Sequence, residues 1–140
     1  GLTSAPAIGE LVAELVTGYL HAKKKKHFVE KRKGLVNPKN LSREVYQELI
    51  RENPAYGNVI CRCETVTEGE IVEAIHRPIP AKSLDGVKRR TRAGMGRCQA
   101  GFCSPKTMEI LAREWKVPME TITKAGKDSR LIRGYNKDSL

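Results

Sequence analysis

Val59-Ile-Cys-Arg-Cys-Glu64 and Gly94-Met-Gly-Arg-Cys-Gln-Ala-Gly-Phe-Cys103 contain all four cysteines of the 140-residue chain. The pattern is Cys61-x-Cys63, then 34 residues, then Cys98-x4-Cys103. Two close pairs from distant stretches bring four thiolates to one place when the chain folds. Four thiolates suit tetrahedral zinc or an iron–sulfur cluster. Zinc sites usually space their paired cysteines by two to four residues, so Cys-x-Cys followed by Cys-x4-Cys is unusual for zinc. A [2Fe–2S] cluster has two irons, each needing two cysteines, and two unlike pairs meet that need. On spacing alone, structural zinc and a pair of disulfides stay open.

The neighbouring residues favour the cluster. Cys103 precedes a helix start at Ser104-Pro105, whose positive end stabilises a thiolate. Cys63 lies one turn before a second start at Thr67. Gly94, Gly96 and Gly101 let the backbone approach closely and aim N–H groups at sulfur. Arg62, Lys88, Arg89, Arg90, Arg92 and Arg97 lie near the cysteines in sequence. A thiolate-bound cluster is anionic and becomes more so on reduction, so any of these cations that face it raise its potential.

Outward from the cysteines the pattern is helical. Ser4 to Leu20 reads as a helix capped by Ser4, with Pro6 in its first turn and Ile8, Leu11, Val12, Leu15, Val16 and Tyr19 along one side. Ser42 caps a second helix to about Glu52, with Val45, Leu49 and Ile50 inward, and Asn53-Pro54 stops it. Asn58 to Cys61 is apolar and extended. Thr67 and Glu70 form a capping box for a helix through Ile71, Val72 and Ile75. Ser83 caps a short helix with Leu84 and Val87 inward. Ser104-Pro105 opens a helix through Met108, Ile110, Leu111 and Trp115, which Val117-Pro118 breaks; Pro118 to Ala125 adds one more turn. Met108 and Trp115 read as core, and His21, His27 and His76 as exposed histidines without a site. No Ser/His/Asp set or pair of carboxylates suggests hydrolysis.

Composition bounds the class. At 140 residues the chain is too short for a dinucleotide-using enzyme with its own substrate domain, and with 5% aromatics its core must be aliphatic. No apolar run approaches the ~20 residues that span a bilayer. The chain opens on Gly1 rather than Met, with no charged region before its apolar stretch; it reads as a piece of a longer cytoplasmic protein without a signal peptide. In a reducing compartment the cysteines are metal ligands rather than bridges. From His21 to Arg43 nine cations face Glu30 alone, which gives +8 of the chain's +10. This local run has one aromatic, Phe28, so it lacks the stacking residues of a nucleic-acid platform and reads as a solvated linker.

The quoted cysteine stretches, with Val66-Thr-Glu-Gly-Glu-Ile71 and Leu84-Asp-Gly-Val-Lys-Arg-Arg-Thr-Arg92 between them, resemble the bacterioferritin-associated-ferredoxin-like [2Fe–2S] domain. The resemblance covers roughly residues 58–125. It implies a small helical unit with the cluster in loops between helices and with Cys61, Cys63, Cys98 and Cys103 as ligands. Gly1-Leu-Thr-Ser-Ala-Pro-Ala-Ile-Gly-Glu10 resembles the last flavin-contacting loop and final helix of glycine/D-amino-acid-oxidase-type flavoproteins, which implies that Gly1, Leu2, Thr3 and Ser4 touch flavin in a parent protein. Flavin domain, basic linker and cluster domain together resemble the bacterial FAD-dependent glycerol-3-phosphate dehydrogenases; related amino-acid and opine dehydrogenases share parts of this arrangement.

These readings give an all-α fold: residues 1–22 a terminal helix of an absent flavin-binding domain, 23–57 a basic linker and helix, 58–125 the [2Fe–2S] domain, 126–140 a polar tail. The expected function is electron relay from the FAD of the parent dehydrogenase through one [2Fe–2S] cluster to a downstream acceptor or partner subunit, with Arg62, Arg89, Arg90, Arg92 and Arg97 tuning the cluster. The fragment alone is expected to have no dehydrogenase activity. The expected partners are the protein's own flavin domain and the acceptor, with no nucleic acid and no direct membrane span; membrane association would come through a partner. The alternative is a structural or regulatory zinc module, or a partner-docking module.

Overall fold

A computed structural model describes residues 1–134, 136 and 137. The chain divides into two compact units, Gly1–Gly34 and a second beginning at Leu35.

The first unit contains helix α1 (Ala5–Leu20). Pro6 sits in its first turn, where a missing N–H costs nothing. The helix closes on His21 at φ 47°, whose N–H donates to Gly18 O while that of Ala22 donates to Thr17 O. Ser4 does not cap it as expected: its hydroxyl turns back and donates to Gly1 O at 3.2 Å. No residue of α1 is buried.

In the second unit, α2 (Arg43–Glu52) starts at Ser42, whose Oγ accepts from Val45 N–H. Its inward face is Tyr46, Leu49 and Ile50, spaced i, i+3, i+4. The expectation for Val45 fails, since it is 54% exposed. Tyr46 takes the inward place because its hydroxyl reaches Tyr56 O at 2.7 Å. A 3₁₀ turn over Pro54–Gly57 then delivers Tyr56 into the core.

The chain next forms a short antiparallel ribbon, β1 (Val59–Cys61) with β2 (Val66–Thr67). This corrects the all-α expectation: the fold is mostly helical with a two-stranded sheet. The ribbon matters because Cys61 ends β1, and the reversal 62–65, with Thr65 at φ 47°, turns out Cys63. Helix α3 (Glu68–Ile75) follows with the expected capping box: Thr67 Oγ1 accepts from Glu70 N–H, and Glu70 Oε2 accepts from Thr67 N–H. Ser83 caps α4 (Leu84–Thr91) as expected. Helix α5 (Ser104–Trp115) starts at Ser104-Pro105 as expected, with Cys103 at its N-cap; the Ser104 hydroxyl donates to Ala100 O.

Helix α3 packs against both α4 and α5. Ile71, Ile75, Val87 and Leu111 are fully buried between them, with Val66, Met108 and Ile122 around. The core is aliphatic, and each such side chain contributes about 1.5–3 kcal/mol relative to exposure. Trp115 seals its edge by donating Nε1–H to Ala81 O at 3.2 Å, with Lys82 over its ring. After α5, a 3₁₀ turn over Met119–Thr121 leads to a bridge between Thr123 and Arg130, while Thr123 O and Lys124 O accept from the first N–H groups of α4. The expected polar tail therefore begins in ordered structure; its residues 135 and 138–140 lie outside the described residues. Among the described residues no helix is long and apolar enough to cross a membrane.

Candidate metal centre

The four cysteines come together from four places in the second unit. Cys61 is the last residue of β1, Cys63 stands in the reversal after it, Cys98 lies in the 93–103 loop, and Cys103 caps α5. All four are free thiols; Cys61 and Cys103 are buried, Cys98 half-buried and Cys63 exposed. Cys63 Sγ lies 3.5 Å from Cys98 Sγ, so the pairing is between the two sequence motifs rather than within each. All four line one cleft of about 600 Å³.

The 93–103 loop is shaped for this approach. A Cβ on Gly96 would overlap the Cys63 Cβ and stand 3.4 Å from its Cα, so only glycine lets the two loops touch. Gln99 and Ala100 are both left-handed, at φ 48° and 72°. That curl turns the N–H groups of Phe102, Ala100 and Gly101 toward the Cys98 sulfur. The hydrogen bond with Cys63 and these three amides hold the Cys98 thiol below its ordinary pKa. Gln99 fixes the curl by donating Nε2–H to Met95 O and Gly96 O. Cys103 behaves oppositely. Burial first, then the Cys61 thiol and the charge of Cys98, push it up to about 11. The helix start expected to favour its thiolate is outweighed by burial. A metal cation held there would reverse that balance, because it would compensate the charge that burial penalises.

Two thiol pairs along one cleft, with amides aimed at sulfur, suit an iron–sulfur site. Among the described residues no three His, Cys, Asp or Glu side chains gather so as to hold one metal ion, and nothing favours the zinc alternative.

The cations expected to tune the site separate into two groups. Arg62 and Arg97 line the cleft. Arg89, Arg90 and Arg92 do not. Arg89 reaches Asp85 at 3.8 Å, Arg90 donates to Gly86 O and Ile79 O, and Arg92 Nε donates to Glu64 at 2.8 Å. Lys106 and Phe102 also line the cleft and were missed. Lys106 sits three residues beyond Cys103 on α5, a helical spacing that could have found it. Gly1, Leu2, Thr3 and Ser4 belong to the first unit and are exposed. His76 is exposed as expected, but pairs Nε2 with Glu114 at 2.6 Å.

Residues 59–113 match the family of BFD-like [2Fe–2S]-binding domains. This segment includes both cysteine pairs and every lining residue of the cleft except Asn58. Beyond the domain, the whole chain is 45% identical to part of a glycerol 3-phosphate dehydrogenase of Caloramator mitchellensis, of which it spans 29%. It is 36% identical over 46% of its length to one subunit of the anaerobic glycerol-3-phosphate dehydrogenase of Escherichia coli K12, spanning 12% of that protein. It is 44% identical over 39% of its length to the hydrogen cyanide synthase subunit HcnB of Pseudomonas aeruginosa, again spanning 12%. The chain thus spans less than a third of each of these curated relatives. No solved structure matches it.

Proposed function

We propose that the second unit is an electron-transfer module. Cys61, Cys63, Cys98 and Cys103 hold one [2Fe–2S] cluster, and the module relays electrons from the FAD of a parent glycerol-3-phosphate-type dehydrogenase to an acceptor. The observation that supports this best is the meeting of both cysteine pairs at one cleft inside the segment that matches the [2Fe–2S]-binding family. Such a cluster, when bound, takes up and gives up one electron at a time.

The chain's residues bind, position and tune. Cys61 and Cys103 anchor the site in the core, and Cys63 and Cys98 bring it to the surface, where a partner can approach. The amides of Ala100, Gly101 and Phe102 stabilise negative charge on the Cys98 sulfur. Arg62 and Arg97 raise the potential from the cleft wall, while Arg89, Arg90 and Arg92 brace the helix and loops that present the cysteines. The substrate assignment rests on the likeness of this whole chain to 29% of the Caloramator relative, since the cysteine segment also resembles a subunit named for hydrogen cyanide synthesis. In this reading Gly1, Leu2, Thr3 and Ser4 contact flavin in the parent protein, and the protein works in the cytoplasm.

The test is stopped-flow spectroscopy on the full-length dehydrogenase without oxygen. Glycerol 3-phosphate should bleach the flavin first and the cluster second. Cys63→Ser should leave flavin bleaching intact and abolish transfer to an external acceptor. Equal transfer by the variant would refute the relay.

A further inference from the structure

Seven arginines lie between residues 59 and 113, and five of them spend their guanidinium on protein acceptors. Arg77 pairs with Glu73, Arg89 with Asp85, Arg92 with Glu64 and Arg113 with Glu68, while Arg90 takes two carbonyls. Arg62 and Arg97 are the two for which no protein acceptor is found among the described residues, and both line the cysteine cleft. Lys106 joins them there, also without an ion pair among the described residues. None of the described residues lining this cleft is a carboxylate. Beside these cations stands Phe102, 86% exposed and next in sequence to Cys103. Its ring stands in water at the edge of the cationic cleft, one residue from a buried thiol.

We propose that Arg62, Arg97, Lys106 and Phe102 form the docking surface on which an acidic protein seats itself to exchange electrons with this site. The inference rests on the cluster reading above and adds the partner's chemistry: carboxylates placed to meet the three cations, around an apolar spot that takes the Phe102 ring. An aromatic anchor inside a cationic rim is the usual anatomy of a small interface, with the charges setting approach and the ring setting grip. Cys63 and Cys98 stand at the mouth of the cleft, so a partner seated on the cationic rim comes close to the site without entering it, and the exposed Phe102 ring reaches out to that partner.

The test is fluorescence anisotropy with dye-labelled poly-L-glutamate and the cluster-loaded 140-residue chain. Because Lys23 to Lys26 also attract polyanions, the starting protein is the Lys23→Gln, Lys24→Gln, Lys25→Gln, Lys26→Gln variant. In that background, adding Arg62→Gln, Arg97→Gln and Lys106→Gln should weaken binding about tenfold at low salt. Phe102→Ala should weaken binding of a Glu/Leu copolymer while leaving the salt dependence unchanged. Visible absorbance and circular dichroism confirm that each variant keeps its cluster and fold. Affinities within twofold of the background would overturn the proposal and leave the cations as tuning groups only. Displacement of polyglutamate by phosphatidylserine vesicles, but not phosphatidylcholine vesicles, would also overturn it in favour of a lipid contact. A chain that lacks iron refutes the cluster reading; a chain that holds iron and binds equally with and without the rim refutes this inference alone.

Discussion

Gly96→Ala is the most informative single substitution, because it adds one methyl group where two cysteine loops meet. The new Cβ would overlap the Cys63 Cβ and stand 3.4 Å from both the Cys63 Cα and its carbonyl carbon. Restoring an ordinary carbon–carbon separation of about 3.5–4 Å requires the two loops to part by about 1 Å or more. The atom in the way is next to the backbone, not the end of a flexible side chain, so the loop itself has to move. Cys63 and Cys98 are now 3.5 Å apart across this junction, and they would separate by a similar amount. Overpacking of this kind costs about 1–3 kcal/mol. In a domain of this size that lowers Tm by roughly 5–20 °C. The helices α3, α4 and α5 do not pass through the junction, so the fold should survive with the metal centre disabled. The assay is thermal melting by circular dichroism beside iron and sulfide content, with Gly34→Ala as control, since a Cβ there meets nothing within 4 Å. Gly96→Ala should melt lower and retain less than half the iron; the control should match the parent. A Gly96→Ala chain with full iron and unchanged Tm would show that the loops do not meet as described.

Other expectations follow from single contacts. Cys63→Ser or Cys98→Ser should abolish the visible absorption of the reconstituted protein while the far-ultraviolet spectrum stays helical. Thr67→Ala removes the cap of α3 and one partner of the buried Glu70 carboxylate; it should cost about 1–2 kcal/mol, read as a lower urea midpoint. Burial, and then the hydrogen bond to Glu73, raise Tyr56 to about 12 from its ordinary 10. The folded chain therefore holds that proton more tightly than the unfolded one, and the stabilisation is complete below pH 10 and lost as pH rises toward 12. Tyr56→Phe should flatten the fall of urea stability across that window; an unchanged slope would mean that Tyr56 is not the group responsible.

The parts of this fold readable in the sequence are those set by local chemistry. Ser42, Ser83 and the Thr67–Glu70 pair cap helices by bonding amides two or three residues away, so the signal lies within one turn. The cysteine spacing pointed to the candidate site because thiolates are rare and few chemistries use four, and the structure brings all four to one cleft. What was missed depends on distant contacts. The β1–β2 ribbon is only three residues against two, and its reversal uses Thr65 in a left-handed conformation that threonine seldom adopts. Val45 and Tyr46 are both acceptable inward residues on α2, and the choice is made by Tyr56 O, ten residues on. Gln99 and Ala100 carry no glycine to announce the positive φ that aims amides at Cys98. Arg90 could have been placed, since Gly86 O lies one helical turn behind it; Arg92 could not, because Glu64 reaches it from the other cysteine loop.

The central claim is tested most directly by iron, acid-labile sulfide and zinc analysis of the 140-residue chain purified without oxygen, followed by electron paramagnetic resonance after dithionite reduction. The account predicts about two irons and two sulfides per chain and a signal from one unpaired electron that appears only on reduction. About one zinc per chain, with no sulfide even after attempted reconstitution, would contradict it.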